Sequence, residues 1–291
     1  MAIIRYLFGI IILSSFLSAC ADTFSTVVEI DPPAFEEQLV VGAFIDLKES
    51  TSEFFVGRNV SIFESGDDDI FKVNDATVTV MREDGETIRS EADDVFPQFS
   101  TNYFIGNALD FYEEERDYTF TIEHPDFPSS STTIRYPSLE AVENIVYVYN
   151  DGVNESGDDS SSITFDIIDP PGVKNYYELS ISSFRLSTID PSAIKGSRTG
   201  NLLFSDESFD GERKSIQVKF NRLSYPEESG LEIKFNWDSV NEGYYKYVKS
   251  LNRQQETEGN PFASTVPIFS NLNNALGAIG LRARNRFVFT P

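Results

Sequence analysis

Ala76-Thr77-Val78-Thr79-Val80-Met81, followed by Glu83-Asp84-Gly85-Glu86, and then Asp117-Tyr118-Thr119-Phe120-Thr121-Ile122-Glu123 are the stretches that decide the fold. In both runs apolar and polar residues alternate, the period of a strand with one face buried and one in water. Asp84-Gly85 supplies the dipeptide of a tight hairpin. Tyr118, Phe120 and Ile122 share one face, and His124-Pro125 ends the run. Short strands with turn signals between them and no helical period predict a mainly β protein built from sandwich-like domains.

Toward the amino end, residues 38–47 (QLVVGAFIDL) and 26–30 read as strands on either side of the breaker Asp31-Pro32-Pro33. Residues 51–64, with Phe54, Phe55, Val60, Ile62 and Phe63, read as another strand before the acidic turn Gly66-Asp67-Asp68-Asp69. These elements predict a first domain over residues 24–137, immunoglobulin-like or transthyretin-like, closing at Tyr136-Pro137. A second β-rich domain is expected over 138–291. Its strands are residues 143–149, 163–168, 175–184, 215–223 and 231–237, with a polar loop over 150–162 and a long connection over 187–200. One long helix is expected at about 240–256. Ser239 and Glu242 have the spacing of a capping box, Tyr244, Tyr247, Val248 and Leu251 recur at helical steps, and Gly259 offers a stop. Residues 261–291 read as extended chain with turns at 271–274 and 277–280.

The chain opens with Arg5, an apolar run from Leu7, and Leu17-Ser18-Ala19-Cys20, which has the layout of a secretory signal peptide. The run is shorter than the roughly 17–25 residues a spanning helix needs. Leu-Ser-Ala-Cys resembles the bacterial lipobox, so residues 1–19 are expected to be removed, Cys20 to carry lipid, and 20–23 to act as a tether; an ordinary signal peptide with an incidental cysteine is the alternative. Cys20 is the sole cysteine, so lipidation leaves no thiol for a disulfide, a zinc site or a nucleophile.

Charge narrows the partners. The sequence carries 47 Asp and Glu against 23 Lys and Arg, a net charge of −24, and loss of the signal peptide removes Arg5 and no acid. So negative a surface repels phosphate backbones and anionic headgroups, which argues against nucleic-acid binding and against electrostatic adhesion to membranes. Attachment then falls to the acyl chains, at about 0.8 kcal/mol per buried methylene.

Catalytic chemistry finds little purchase. The single histidine, His124, reads as a strand-end surface residue, and no G-x-S-x-G nucleophile motif is present. One His with no free Cys argues against a zinc site, and no metal or cofactor is expected. Asp67–Asp69 and residues 150–159 gather oxygen ligands, but neither has the twelve-residue calcium pattern, and solvated acidic loops are the plainer reading. Tyr176, Tyr177, Tyr244 and Tyr245 are the candidate binding residues: exposed, they would form a platform for a sugar or a partner protein; buried, they would fill the contact between helix and sheet.

Taken in order, Cys20 with Asp22, LVVGAFID, Asp169-Pro170-Pro171-Gly172 with Asn175-Tyr176-Tyr177, Phe204-Ser205-Asp206 with Phe209-Asp210-Gly211, Tyr244-Tyr245-Lys246-Tyr247, Gln254-Gln255, and Asn260-Pro261-Phe262 running into Val266-Pro267-Ile268 and Ser270-Asn271 form a connected string. The string resembles the family of domain of unknown function 4249, lipoproteins of Bacteroidota, over nearly the whole mature chain. Members commonly end in a glycine-rich segment, where this chain has Asn274-Ala275-Leu276-Gly277-Ala278-Ile279-Gly280. The resemblance implies a lipid-anchored outer-membrane protein, often encoded beside a TonB-dependent transporter, with no established enzymatic activity and no catalytic residue to carry over. The expected function is therefore that of a non-enzymatic accessory lipoprotein that binds such a transporter and helps present or retain its ligand. The alternative is a glycan-binding or polysaccharide-acting surface protein using a cleft between the two domains.

Overall fold

In a computed structural model of the chain, residues 35–46, 48–49, 51–61, 64, 71–90, 101–106, 110–154, 156–186, 194–222, 231–257, 263–264 and 266–290 are described, with the backbone alone for 183–186, 194–201 and 231. Cys20, the strand expected at 26–30 and the acidic turn at 66–69 lie outside the described residues. In chain order the strands are β1 (Leu39–Asp46), β2 (Thr51–Arg58), β3 (Thr77–Arg82), β4 (Thr87–Ser90), β5 (Tyr103–Gly106), β6 (Asp117–His124), β7 (Phe127–Arg135), β8 (Val142–Val148), β9 (Ser160–Ile168), β10 (Tyr176–Leu186), β11 (Ile194–Ser205), β12 (Arg213–Asn221), β13 (Leu231–Val240) and β14 (Ala275–Phe289). The single α-helix among the described residues, α1, spans Glu242–Thr257. The protein is mainly β, as the alternating runs predict.

A seven-stranded sheet in the order β11-β10-β13-β14-β1-β2-β5 runs through the body, and a four-stranded sheet (β4-β3-β6-β7) and a three-stranded sheet (β12-β9-β8) share one of its faces. The joint is β14. Its first half pairs with β1 in parallel from Leu39↔Ala275 to Asp46↔Arg282, and its second half pairs with β13 from Val240↔Arg282 to Ile233↔Phe289. Alternation puts Ala275, Ile279, Leu281 and Ala283 into a core with Leu39, Val41, Phe54, Val78, Tyr118 and Phe120, under the four-stranded sheet. Further along the same face, Phe287 and Phe289 pack against a second core of Phe165, Tyr177, Leu179, Phe235 and Trp237, under the three-stranded sheet. Strands from both sides of Pro137 thus share one sheet. Tyr136, just before it, is fully buried and donates its hydroxyl to the Arg282 carbonyl at 2.7 Å, fixing the connection to the middle of β14.

The helix lies on the opposite face. Tyr244 and Val248 pack with Tyr176 and Val240, and Tyr244 meets Phe44 edge-on at 4.9 Å between centroids. This approach requires Gly280, since a Cβ there would lie 2.6 Å from the Tyr244 ring. Residues 277–280 therefore form strand and not the expected turn: at Gly277 and Gly280 the glycines mark close approach, with Gly277 seated under the Val41 carbonyl.

Three local expectations are corrected. Ser239 does not cap the helix; it ends in β13, where its hydroxyl accepts the Glu140 amide at 3.1 Å, and the helix begins at Glu242. The expected long connection over 187–200 contains the start of β11 at Ile194, paired with Leu186. Ser160 to Ser162 open β9 instead of ending a loop; they are buried, and the hydroxyls of Ser160 and Ser161 donate to the Asp151 and Tyr149 carbonyls.

Candidate functional site

Two connections whose motifs stand far apart in sequence are laced together at one end of β10. Residues 169–175 join β9 to β10, and residues 206–212 join β11 to β12. Asp169 Oδ2 accepts the Gly211 amide at 2.9 Å, and Asp210 Oδ1 accepts the Gly172 amide at 2.7 Å, so each loop supplies the acceptor for the other's glycine. Both glycines have positive φ, and a Cβ on Gly211 would lie 2.7 Å from the Pro171 Cβ, which explains glycine at that crossing. Asp206 Oδ2 accepts the Asn175 amide at 2.6 Å, while Asp169 Oδ1 accepts the Tyr177 hydroxyl at 2.5 Å and the Asn175 carboxamide at 3.3 Å.

Carboxylate oxygens of Asp169, Asp206 and Asp210 lie within 4.8 Å of one another, the first two residues buried and the third exposed. Burial, opposed by the Asn175 amide and reinforced by the neighbouring carboxylates, lifts the Asp206 carboxyl above the ordinary range. Burial and the bond to Asp169 likewise push the Tyr177 hydroxyl up. Oxygen ligands at this spacing are the kind a hard cation uses. Here the three carboxylates accept main-chain amides, a phenol and a carboxamide, and the arrangement staples two loops. Asp-Pro-Pro-Gly and Asp-Gly read in the sequence as turns; that the turns meet is a long-range fact with no local signal.

The four tyrosines singled out in the sequence divide between two surfaces of β10. Tyr177 is fully enclosed, stacked on Trp237 at 4.8 Å. Tyr176 and Tyr244 are buried between sheet and helix: the Tyr176 hydroxyl donates to Glu242 at 2.9 Å, and that of Tyr244 donates to the buried Glu178. Tyr245 is half-buried, its ring 4.7 Å from that of Tyr176 and its hydroxyl accepting from Lys249 at 2.9 Å.

A cleft of ≈ 520 Å³ opens beside the Tyr136-Pro137 connection, between the end of β7 and the start of α1. One wall is the end of β7, with Thr133 and Arg135; the other carries Lys174, Tyr176, Lys246 and Phe269. Lys246 Nζ pairs with Glu242 at 3.0 Å and sits 5.6 Å above the Phe269 ring, and Lys174 Nζ lies 5.7 Å from the Tyr176 ring. A second groove of ≈ 660 Å³ separates β11 from α1, bordered by Leu202, Phe204, Tyr245, Lys249 and Arg253. Periodicity located α1, β10 and β13 beside these hollows, but β7 and β11 carry no pattern that reads as a strand, and nothing local to the sequence placed β7 opposite Lys246.

His124 ends β6 as expected, yet its side chain is only 6 % exposed. Nδ1 accepts the Asp126 amide at 3.0 Å, which leaves Nε2 to face Asp75 at 2.8 Å. Its ring also packs beside Phe127, at 5.1 Å between centroids. The histidine is a tucked-in strand-end contact, not a freely solvated one.

Two sandwiches on one shared sheet, with loops stapled by carboxylates and a cleft beside their connection, define a mainly β, sandwich-like protein. The chain belongs to the family described as domain of unknown function (DUF4249), whose model matches residues 25–286. No curated protein matches the chain.

Proposed function

We propose that this protein is a non-enzymatic accessory lipoprotein, anchored in the outer membrane through Cys20, that binds a TonB-dependent transporter and helps present or retain its ligand. The observation that carries the reading is the direction of the shared sheet. The strand nearest the tether, β1, runs from Leu39 toward Asp46, and its parallel neighbour β14 continues from Arg282 into the second sandwich. A chain anchored ahead of β1 would therefore hold the junction cleft and the second sandwich downstream of its attachment. The net charge of −24 supports contact with a protein over adhesion to anionic headgroups.

Extraction of native membranes in mild detergent tests the proposal. A transporter that co-purifies with the wild-type protein supports it; a strictly solitary lipoprotein, or an unmodified amino terminus on protein in the aqueous fraction, overturns it. A directly glycan-binding or polysaccharide-acting role is the second reading, favoured by the junction cleft bordered by Tyr176 and Phe269. Measurable oligosaccharide affinity that falls on Phe269→Ala, or hydrolysis of a polysaccharide, would support that role.

A further inference from the structure

β7 is the outer strand of the four-stranded sheet and pairs only with β6 among the described residues. Which of its main-chain groups face outward follows from two fixed points. At Tyr136 the N–H donates to the Arg116 carbonyl at 2.8 Å and the carbonyl accepts the Glu115 amide at 2.9 Å, so this residue turns inward. Alternation then turns the N–H and C=O of Ser131, Thr133 and Arg135 outward. Ser131 bears this out: its carbonyl accepts the Asn273 amide at 3.2 Å, and its N–H donates to Asn273 Oδ1. Asn274 adds a bond from its carboxamide to the Ser129 carbonyl at 3.0 Å. Asn273 thus fills the first place of a neighbouring strand that goes no further. The next two outward pairs, at Thr133 and Arg135, have no strand beside them among the described residues and border the ≈ 520 Å³ cleft.

We infer that the cleft accepts an extended peptide of a partner protein, added as a strand along Thr133–Arg135 where Asn273 leaves off. The inference rests on reading the protein as one that works by contact, and it names where and how. Donor and acceptor pairs repeating every second residue, about 7 Å apart, match another extended main chain. The hollow also falls in the range of about 300–1,000 Å³ typical of ligand sites. The walls select side chains. Arg135 is paired with Asp117 and Lys246 with Glu242, which leaves Lys174, beside the Tyr176 ring, as the cation open to a new partner among the described residues of the cleft, so the favoured strand carries a carboxylate toward Lys174 and an apolar residue toward Phe269.

The test uses the full mature protein in mild detergent and a random library of linear peptides displayed for selection. Selected peptides are then resynthesised with N-methyl groups on one or the other alternate set of residues. Strand addition predicts that methylating one set weakens binding at least about tenfold and that the other set is tolerated. Thr133→Pro removes the outward N–H and spares the bonds to β6, so it should weaken binding at least about tenfold as well, whereas Thr133→Val should not. The methylated peptides leave the protein untouched, so the inference stays testable should the proline variant misfold. Failure to select any peptide, binding indifferent to both methylation patterns, or oligosaccharide binding in its place overturns it. A transporter that co-extracts equally well with folded Thr133→Pro leaves the accessory role standing and removes this site. Alternation-sensitive peptide binding without any co-extracting transporter does the reverse.

Discussion

Arg284 holds Asp238 through two hydrogen bonds, Nε to Oδ1 at 2.7 Å and Nη2 to Oδ2 at 2.6 Å, on the helix-bearing face of the seven-stranded sheet where Asp238 has no exposure. Burial lifts the Asp238 carboxyl above its ordinary range even against this pair, and burial also opposes the Arg284 charge, which Asp238 more than offsets. Removing one partner leaves the other charged and buried. Asp238→Asn should lower the unfolding free energy by about 3 kcal/mol, since Asp46 at 3.6 Å still faces the guanidinium. Asp238→Leu with Arg284→Met should recover most of that loss. Urea midpoints of the wild type and the two variants check the pattern; equal losses in the single and double variants would contradict it.

Tyr177→Phe isolates the stapled loops. The ring stays on Trp237, and only the hydroxyl bond to Asp169 is lost. A buried carboxylate deprived of one donor should cost about 1.5–3 kcal/mol in stability. Amide exchange should also quicken at Gly211 and Asn175, whose N–H groups donate to the same cluster. A loss of stability without faster exchange at those two amides would place the effect in the aromatic core instead.

Alkali should unfold the protein through its tyrosines. Burial pushes the Tyr103 hydroxyl up to about 12, and it raises those of Tyr112, Tyr176, Tyr177 and Tyr244 further. The folded state therefore keeps protons that the unfolded chain releases near pH 10. This contribution to stability is complete below pH 10 and is lost as pH rises from there through the folded values. Ultraviolet titration should show the exposed phenols ionising near pH 10 and the buried group ionising together with loss of tertiary signal. Reversible ionisation of all 13 tyrosines near pH 10 with the fold intact would refute this.

Two glycines with similar φ should behave differently. Gly85 (φ 92) has nothing within 4 Å of where a Cβ would stand, so Gly85→Ala should cost about 1–2 kcal/mol from backbone strain alone. Gly277 (φ 101) would place its Cβ 2.1 Å from the Val41 carbonyl oxygen, inside the β1–β14 ladder. Gly277→Ala should therefore cost about 4 kcal/mol or more, because strain is joined by a clash with main chain that cannot rotate away. Thermal unfolding of the pair measures the difference.

Alternation made much of this fold legible, because a strand with one wet face writes its period into the residues themselves. Residues 117–123, 175–184 and 231–237 lie within β6, the β10 region and β13, and tyrosine spacing found the helix to within two residues. The last strand was hidden because its glycines imitate turns. Gly277 and Gly280 are small on account of Val41 and Tyr244, neighbours that only the folded chain supplies. The same holds for the site. Asp169 and Asp210 were visible as turn residues, but their exchange of glycine amides depends on two loops meeting, and the stretch of β7 edge left open among the described residues depends on where Asn273 stops. Packing at a distance leaves no mark on local spacing.

Parallel pairing of β1 with β14 also dictates an order of events. Lys48 and its partner Arg284 are 236 positions apart, so a chain emerging amino end first exposes β1 with an open flank until β14 has appeared. Maturation must then be slow and late, as contacts this distant require. A prematurely terminated product lacking residues 275–289 would leave both sandwiches without their common spine, a natural substrate for holdases and proteases.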